Sequence, residues 1–393
     1  MKVFTLERAG AAPIQYSDKK RWLWLASLAM PGLPLGAIAA TLATGSELYL
    51  LAPLLFFYVV VPLLDALVGE DQSNPPEELV PQLSADRYYR YLTWATVPLY
   101  FVTLGVAAWF VGTQATSLWG ILAVALSVGF YSGTAITVGH ELGHKKEKLE
   151  RWLAKIVLAV PAYGHFWVEH NRGHHRDVAT PEDPASSRFG ENIYAFALRE
   201  MPGALRRAWS LEKERLARAG KSAWSRENEI LHSWAIAAAL RVAFVVAFGP
   251  LLIPFLLVHD FLAWWSLTSA NYIEHYGLMR KKSADGKYEN PKPHHSWNSN
   301  HVVSNLISFH LERHSDHHAH PTRRYQALRH FEELPALPSG YSLMFLLAYL
   351  PPLWFRVLNP RVIEVVGGDL ERINIAPAAR ERVLAQYAAA AAA

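Results

Sequence analysis

The chain has 393 residues, 51% hydrophobic and 18% charged, with no cysteine and a net charge of +4. Soluble domains carry about a quarter charged residues, so the deficit argues against an ordinary soluble fold. The missing thiols exclude disulfides, thiolate-ligated haem, iron–sulfur clusters and cysteine nucleophiles, and so small a charge gives no reason to expect nucleic acid.

Several windows of about 20 residues are almost free of charge, enough for a helix to cross the hydrocarbon layer. The expected fold is therefore all-α, a polytopic membrane protein with six transmembrane helices. The opening MKVFTLERAGAAPIQYSDKKRW is polar and mixed and shows no cleavable signal, so it is expected to remain. The spans are expected near residues 22–44 (with Pro31 and Pro34), 48–68, 93–111, 118–138, 234–258 and 261–276. An acidic loop, GEDQSNPPEELVPQL, separates the second from the third. The fourth ends directly on HELGH, and a shorter apolar piece, 152–161, reads as re-entrant or interfacial. Arg241 is the one charge inside the fifth span, and His259-Asp260 is the expected turn to the sixth. That sixth span is polar at Ser266, Thr268, Ser269 and Asn271, a face expected to meet protein rather than lipid. GYSLMFLLAYLPPLWFRVL is broken by Pro351-Pro352 and reads as interfacial. Residues 1–376 form one membrane-embedded domain with a polar cap from 139–233 and 277–340. The low-complexity tail 377–393 carries no functional reading.

Short-loop lysines and arginines orient a membrane chain. Lys19, Lys20 and Arg21 precede the first span, Lys145, Lys146, Lys148 and Arg151 follow the fourth, and Arg280, Lys281 and Lys282 follow the sixth. With six spans these clusters share one face, the expected cytoplasmic one, and the histidine-rich cap lies there too. The N-terminus is expected on the same side.

Histidine, at 18 residues, is abundant and clustered. HELGH gives His140 and His144, EHNRGHH gives His170, His174 and His175, and HSDHH gives His314, His317 and His318; NYIEHYG adds His275. On a helix, residues four apart lie on one face and can grip one ion, while neighbours point about 100° apart. A doublet therefore serves two ions more readily than one, and the pattern suggests two metals. The adjacent Glu141, Glu169, Glu274 and Asp316 are assigned to the surrounding shell, where carboxylates orient ligating imidazoles. Lone histidines usually sit on the surface or satisfied in the core, which is the reading for His165, His232, His259, His320 and His330. HELGH alone has the form of a zinc protease, but that chemistry needs one zinc and leaves seven clustered histidines without a role.

Softness allows iron, copper or zinc for all-imidazole ligation. The groups H-x3-H, H-x3-HH and H-x2-HH, in that order behind four spans, resemble the boxes of membrane di-iron desaturases and hydroxylases. HELGHKK, EHNRGHH, NYIEHYGL and LERHSDHH together resemble the integral-membrane alkane 1-monooxygenases (alkane hydroxylases), and HSWNSN (295–300) is similar to a segment of that family. LERHSDHH departs from the commoner family form, which has glutamine at the position of Glu312. The resemblance implies that His140, His144, His170, His174, His175, His275, His314, His317 and His318 ligate two iron ions, their division left open. His310 is assigned to the surrounding shell, with His294, His295 and His301 nearby. It further implies O2-dependent hydroxylation of medium-chain n-alkanes to 1-alkanols, substrate arriving from the bilayer of a bacterial inner membrane. The implied electron source is rubredoxin with its NAD(P)H-dependent reductase. Lacking cysteine, this chain cannot supply a rubredoxin centre, so it docks one or has lost a fused one; Arg323, Arg324 and neighbouring bases offer an acidic donor a basic face, though such a face is more often merely solvated. A fatty-acyl desaturase or xylene-type monooxygenase shares the boxes and is the nearest rival, with the zinc protease the rival from another class.

Overall fold

The computed structural model describes residues 2–114 and 116–391. A two-stranded hairpin, β1 (Phe4–Arg8) and β2 (Ala11–Tyr16), precedes an otherwise helical chain. Six helices are long and apolar enough to cross a membrane: α1 (Leu23–Thr44), α2 (Glu47–Val68), α3 (Arg87–Thr113), α4 (Leu118–Gly143), α7 (Glu229–Phe248) and α8 (Leu252–His275). Between α4 and α7 lie α5 (Lys148–Val157), a short helical stretch at 166–177, and α6 (Ile193–Arg218). After α8 come α9 (His314–Ala319), α10 (Tyr341–Ala348) and α11 (Pro351–Val365), the last two bent by 118° at the expected proline break. A further helix, Arg380–Ala391, closes the described chain.

Local chemistry starts these helices. Asp86 caps α3 by accepting from Tyr88 N, Ser117 caps α4 through Gly120 N, and Asn228 caps α7 through Ile230 N and Leu231 N. A side-chain acceptor at this position satisfies an amide that the helix itself leaves free. Centrality follows packing: 72% of the most apolar window of α4 is buried, against 17% for α7, so α4 is the axis and α7 the rim. Small residues let α8 lie against α4. A Cβ on Gly129 would come within 2.7 Å of the His259 carbonyl oxygen, and one on Gly133 within 2.5 Å of Ser266 Cβ. Glycines four apart serve close helix contact in apolar surroundings.

The sequence-based turn at His259-Asp260 needs correction. The chain turns at 249–251, so the fifth span ends at Phe248 rather than near 258, and the sixth starts at Leu252 rather than 261. Gly249 takes a φ of +93°, which side chains rarely adopt, and Pro250 follows it. His259 and Asp260 look like turn residues only until their partners are known. Arg241 Nε donates to Asp260 Oδ2 at 2.9 Å, Asp260 Oδ1 lies 2.9 Å from His259 Nδ1, and His259 Nε2 lies 2.7 Å from Ser132 Oγ. Arg241 also donates to the carbonyls of Ala159 and Val160, just beyond α5. One charge inside a span thus fixes three helices and the segment that leads to His170. Arg241→Met leaves Asp260 to His259 alone and is expected to destabilise the detergent-solubilised protein by about 2 kcal/mol, the scale of a lost hydrogen bond to a charged group at a part-buried site. The double variant Arg241→Met/Asp260→Leu is expected to recover most of that loss in denaturation experiments.

The polar face of α8 meets protein, as its sequence implied. Thr268 Oγ1 donates to Glu200 Oε2 at 2.7 Å, Asn271 Nδ2 donates to Glu200 Oε1 at 3.2 Å, and Ser269 Oγ lies 3.0 Å from the Tyr349 hydroxyl. These bonds tie α6 and the α10–α11 bend to the end of α8 that carries His275.

Candidate metal centre

The nine clustered histidines converge at the polar ends of α4 and α8, and they form two groups. In the first are His140, His144, His170, His175 and His317; in the second are His174, His275, His314 and His318. Within each group one ring nitrogen per histidine lies within 4.8 Å of all the others. Many are closer. His170 Nε2 is 3.1 Å from His144 Nε2 and 3.0 Å from His175 Nε2, which is 3.2 Å from His317 Nε2. In the second group His314 Nε2 lies 3.2 Å from His275 Nε2 and 2.9 Å from His318 Nε2. Such spacings suit adjacent ligands on one ion with metal–nitrogen bonds of about 2.1 Å. His140 Nε2 is buried with no hydrogen-bond partner. A buried polar atom without a partner is costly, and a metal supplies one. The donor set therefore fits two ions.

Both doublets are split. His174 and His175 belong to different groups, as do His317 and His318, because neighbouring helical side chains diverge. The pairing by fours holds for His140 with His144 and for His314 with His318, and fails in the middle box. There His170 shares its group with His175, five residues on, while His174 turns to the other. The backbone from His170 to His174 is a π-helical turn, whose wider i→i+5 hydrogen bonding aligns residues five apart. Such turns recur at functional sites.

Burial pushes the imidazoles of His144, His170, His175, His314, His317 and His318 well below the ordinary range. They are neutral, and a neutral ring has the lone pair that ligation needs. His174 differs. Burial works against its charged form, but Asp183 Oδ2 lies 2.9 Å from its Nδ1 and the net shift is upward. Asp183 is itself buried, yet His174 and Arg207 hold its carboxyl far below the usual range. Arg207 Nη2 reaches Asp183 Oδ1 at 2.6 Å and also binds Glu169.

Asp183 and Arg207 were not among the candidates from sequence. Asp183 follows His174 after a loop and Arg207 lies midway along an amphipathic helix, so no fixed spacing points to either. The carboxylates singled out by adjacency have varied positions. Glu274 Oε2 is 3.5 Å from His314 Nε2 and its Oε1 accepts from the Tyr341 hydroxyl. Glu169 binds Arg207, Glu141 pairs with Lys145 at 3.0 Å, and Asp316 with Arg323 at 2.9 Å. His310 lies between Lys20 Nζ at 3.1 Å and the Tyr325 carbonyl at 2.8 Å.

HSWNSN braces the centre without ligating it. The carbonyl of His295 lies 3.3 Å from His275 Nδ1, Trp297 N donates to the Glu274 carbonyl at 2.8 Å, and Asn298 Oδ1 accepts from Ser315 N at the start of α9. His294 and His295 group with Glu289. His295 Nδ1 accepts the Lys292 N–H, so a neutral ring carries its proton on Nε2 and offers no lone pair toward Glu289. His301 bonds Ser299. Arg323 and Arg324 do not form the free basic face expected of them. Both are buried, Arg323 bound to Asp316 and Glu77 and Arg324 to Glu150.

A single-zinc protease site does not match this geometry: HELGH contributes to a group of five imidazoles, and Glu141 is bound to a lysine. Below the histidines a narrow cavity of about 70 Å³, exposing mainly apolar surface, runs between α4 and α8. Its α4 wall extends from Phe130 to His140, about 15 Å at the helical rise, and His140, His170 and His314 stand at its head. Phe57, Phe130 and Phe345 enclose it toward α2 and α10.

Residues 116–348 match the fatty acid desaturase family. The chain is 56% identical over 374 residues to the alkane 1-monooxygenase of Ectopseudomonas oleovorans, covering 95% of this chain and 93% of that protein. It is 54% identical to alkane 1-monooxygenase 1 of Alcanivorax borkumensis, over 93% of this chain and 91% of that one. The xylene/toluene monooxygenase hydroxylase component of Pseudomonas putida is 29% identical over 59% of this chain and 62% of its own length.

Proposed function

Since the chain belongs to the alkane 1-monooxygenase family, we propose that its nine-histidine centre holds two irons and hydroxylates the terminal carbon of medium-chain n-alkanes with O2. The observation that carries this reading is a metal-binding geometry of two imidazole groups at the head of a long apolar cavity. His140, His144, His170, His175 and His317 would hold one iron, and His174, His275, His314 and His318 the other. When bound, the pair accepts two electrons and activates oxygen; one oxygen atom enters the alcohol and the other leaves as water with two protons.

The chain's own residues position and shield. An alkane has no polar group to hold, so apolar walls must orient it along α4 and α8 with its end beneath His140, His170 and His314. Those walls also exclude water, and fixing a reactive pair in place supplies much of a barrier reduction. Asp183 and Arg207 hold His174. Glu274, Glu141, Glu169, Asp316 and His310 remain the surrounding shell. The electrons come from rubredoxin and its NAD(P)H-dependent reductase. The setting is the bacterial inner membrane, with the N-terminus and the histidine groups cytoplasmic and residues 1–376 acting as one domain.

Membranes containing the protein, given octane, rubredoxin, reductase and NADH, are expected to yield 1-octanol. No alcohol from a working donor chain would overturn the proposal. Filling the cavity tests its role separately. Ala270→Trp places an indole between α4 and α8 and is expected to lower octane hydroxylation by roughly a hundredfold, the scale of a small misplacement of reacting atoms. The metal content should be unchanged by elemental analysis.

A further inference from the structure

Beside the metal centre, from a cleft that adjoins the alkane cavity at Thr137, His140, Ser308 and Leu311, a file of aromatic rings leads to the surface. Phe309, which borders a small cleft together with His140 and His317, packs at 4.9 Å from Tyr325 between ring centroids. Tyr325 N lies 3.4 Å from Glu141 Oε1, next in sequence to His140. From Tyr325 the file continues to Trp24 at 4.9 Å and Tyr89 at 6.0 Å, then from Tyr89 to Tyr88 at 5.2 Å and on to Trp22 at 5.6 Å. Trp22 is 63% exposed, whereas Trp24 and Tyr89 are wholly buried. Aromatic belts at a membrane surface keep their polar tips in the interface; here the inner rings are sealed from solvent.

Their polar atoms share one acceptor. The Tyr89 hydroxyl donates to Asp18 Oδ2 at 2.7 Å, and Trp24 Nε1 donates to the same oxygen at 3.0 Å. Asp18 is buried, and its other oxygen is held by Lys20 N. One-electron oxidation of a tyrosine at neutral pH also releases its proton, so a ring serves as an electron donor when a base already holds that proton. Electrons arriving from a low-potential donor cannot travel as tyrosyl radicals. An oxidant strong enough to break an unactivated C–H bond is more than strong enough to generate them.

We propose that Tyr89, with Asp18 as its proton acceptor, discharges, one electron at a time, the oxidant that oxygen generates at the metal centre when no alkane is in reach. The inference rests on the oxygen-activating reading of the centre. The step balances over two rounds. In each, Tyr89 loses one electron to the centre, its hydroxyl proton passes to the Asp18 carboxylate, and a neutral tyrosyl radical remains. After the second, the remaining oxygen atom leaves as water with two protons from solvent. Tyr88 and Trp22 then carry an electron inward from a small reductant of the thiol or ascorbate class at the surface, and Asp18 returns the proton. The histidine ligands are thereby spared oxidation.

The test has two arms. Metal-free protein is flashed with a ruthenium polypyridyl photo-oxidant and persulfate and frozen for electron paramagnetic resonance. Wild type is expected to give a tyrosyl signal that Tyr89→Phe loses and Trp22→Phe slows, with helical content unchanged. Reduced, metal-loaded protein is then exposed to oxygen without alkane. Tyr89→Phe is expected to inactivate several-fold faster, with histidine oxidation visible by mass spectrometry, while its 1-octanol formation at saturating octane equals wild type. An undiminished tyrosyl signal in Tyr89→Phe under light overturns the relay itself. A relay that works under light, with Tyr89→Phe inactivating under oxygen no faster than wild type, overturns its protective role, whereas wild type that forms no 1-octanol overturns the oxygen-activating reading instead.

Discussion

His317→Ala and His318→Ala, one position apart, are expected to damage different metal sites. His317 belongs with the five imidazoles around His140 and His318 with the four around His275. Each variant should retain the ion of the untouched group and lose or weaken the other, so elemental analysis should find close to half the wild-type metal in both. Octane hydroxylation should fall by at least about a hundredfold in each, beyond what loss of an outer hydrogen-bond partner costs. The same contrast is expected between His175→Ala and His174→Ala. A pair of variants that stripped the same ion would show that the doublets are not shared between two sites.

The second large effect lies outside the histidine boxes. Asp183 holds His174 Nδ1 and is itself held by Arg207 and Ser186. A carboxylate there fixes the ring so that its other nitrogen faces the metal. Asp183→Ala is expected to weaken binding of the ion in the four-histidine group by about 10- to 100-fold, read as metal release to a competing chelator. Asp183→Asn keeps a hydrogen-bonding side chain but not its charge, and should lie between the alanine variant and wild type. The five-histidine group should hold its ion as before, which separates loss of orientation from general unfolding.

These two predictions mark how far the sequence was legible. The nine histidines were readable because they cluster at helical spacings, and the split of each doublet followed from the angle between neighbours on a helix. The partition of the middle box was not readable, since a π-helical turn pairs His170 with His175 and no residue type announces it. Asp183 was hidden for a different reason: its approach to His174 depends on a loop closed by Arg207 from a separate helix. Adjacency misled at Arg323 and Arg324, where a basic run looked free for a partner and proved to be bound to buried carboxylates. The six apolar helices were plain from composition. The turn before the last was not, because His259 and Asp260 resemble a polar turn until Arg241 and Ser132 are seen to satisfy them.

The measurement closest to the central claim is elemental analysis of the purified, iron-loaded protein combined with Mössbauer spectroscopy. A pair of irons per chain is expected, giving two signals of equal area, because the group of five imidazoles and the group of four would each hold one ion in a different environment. A single iron, or one zinc in its place, would contradict the account.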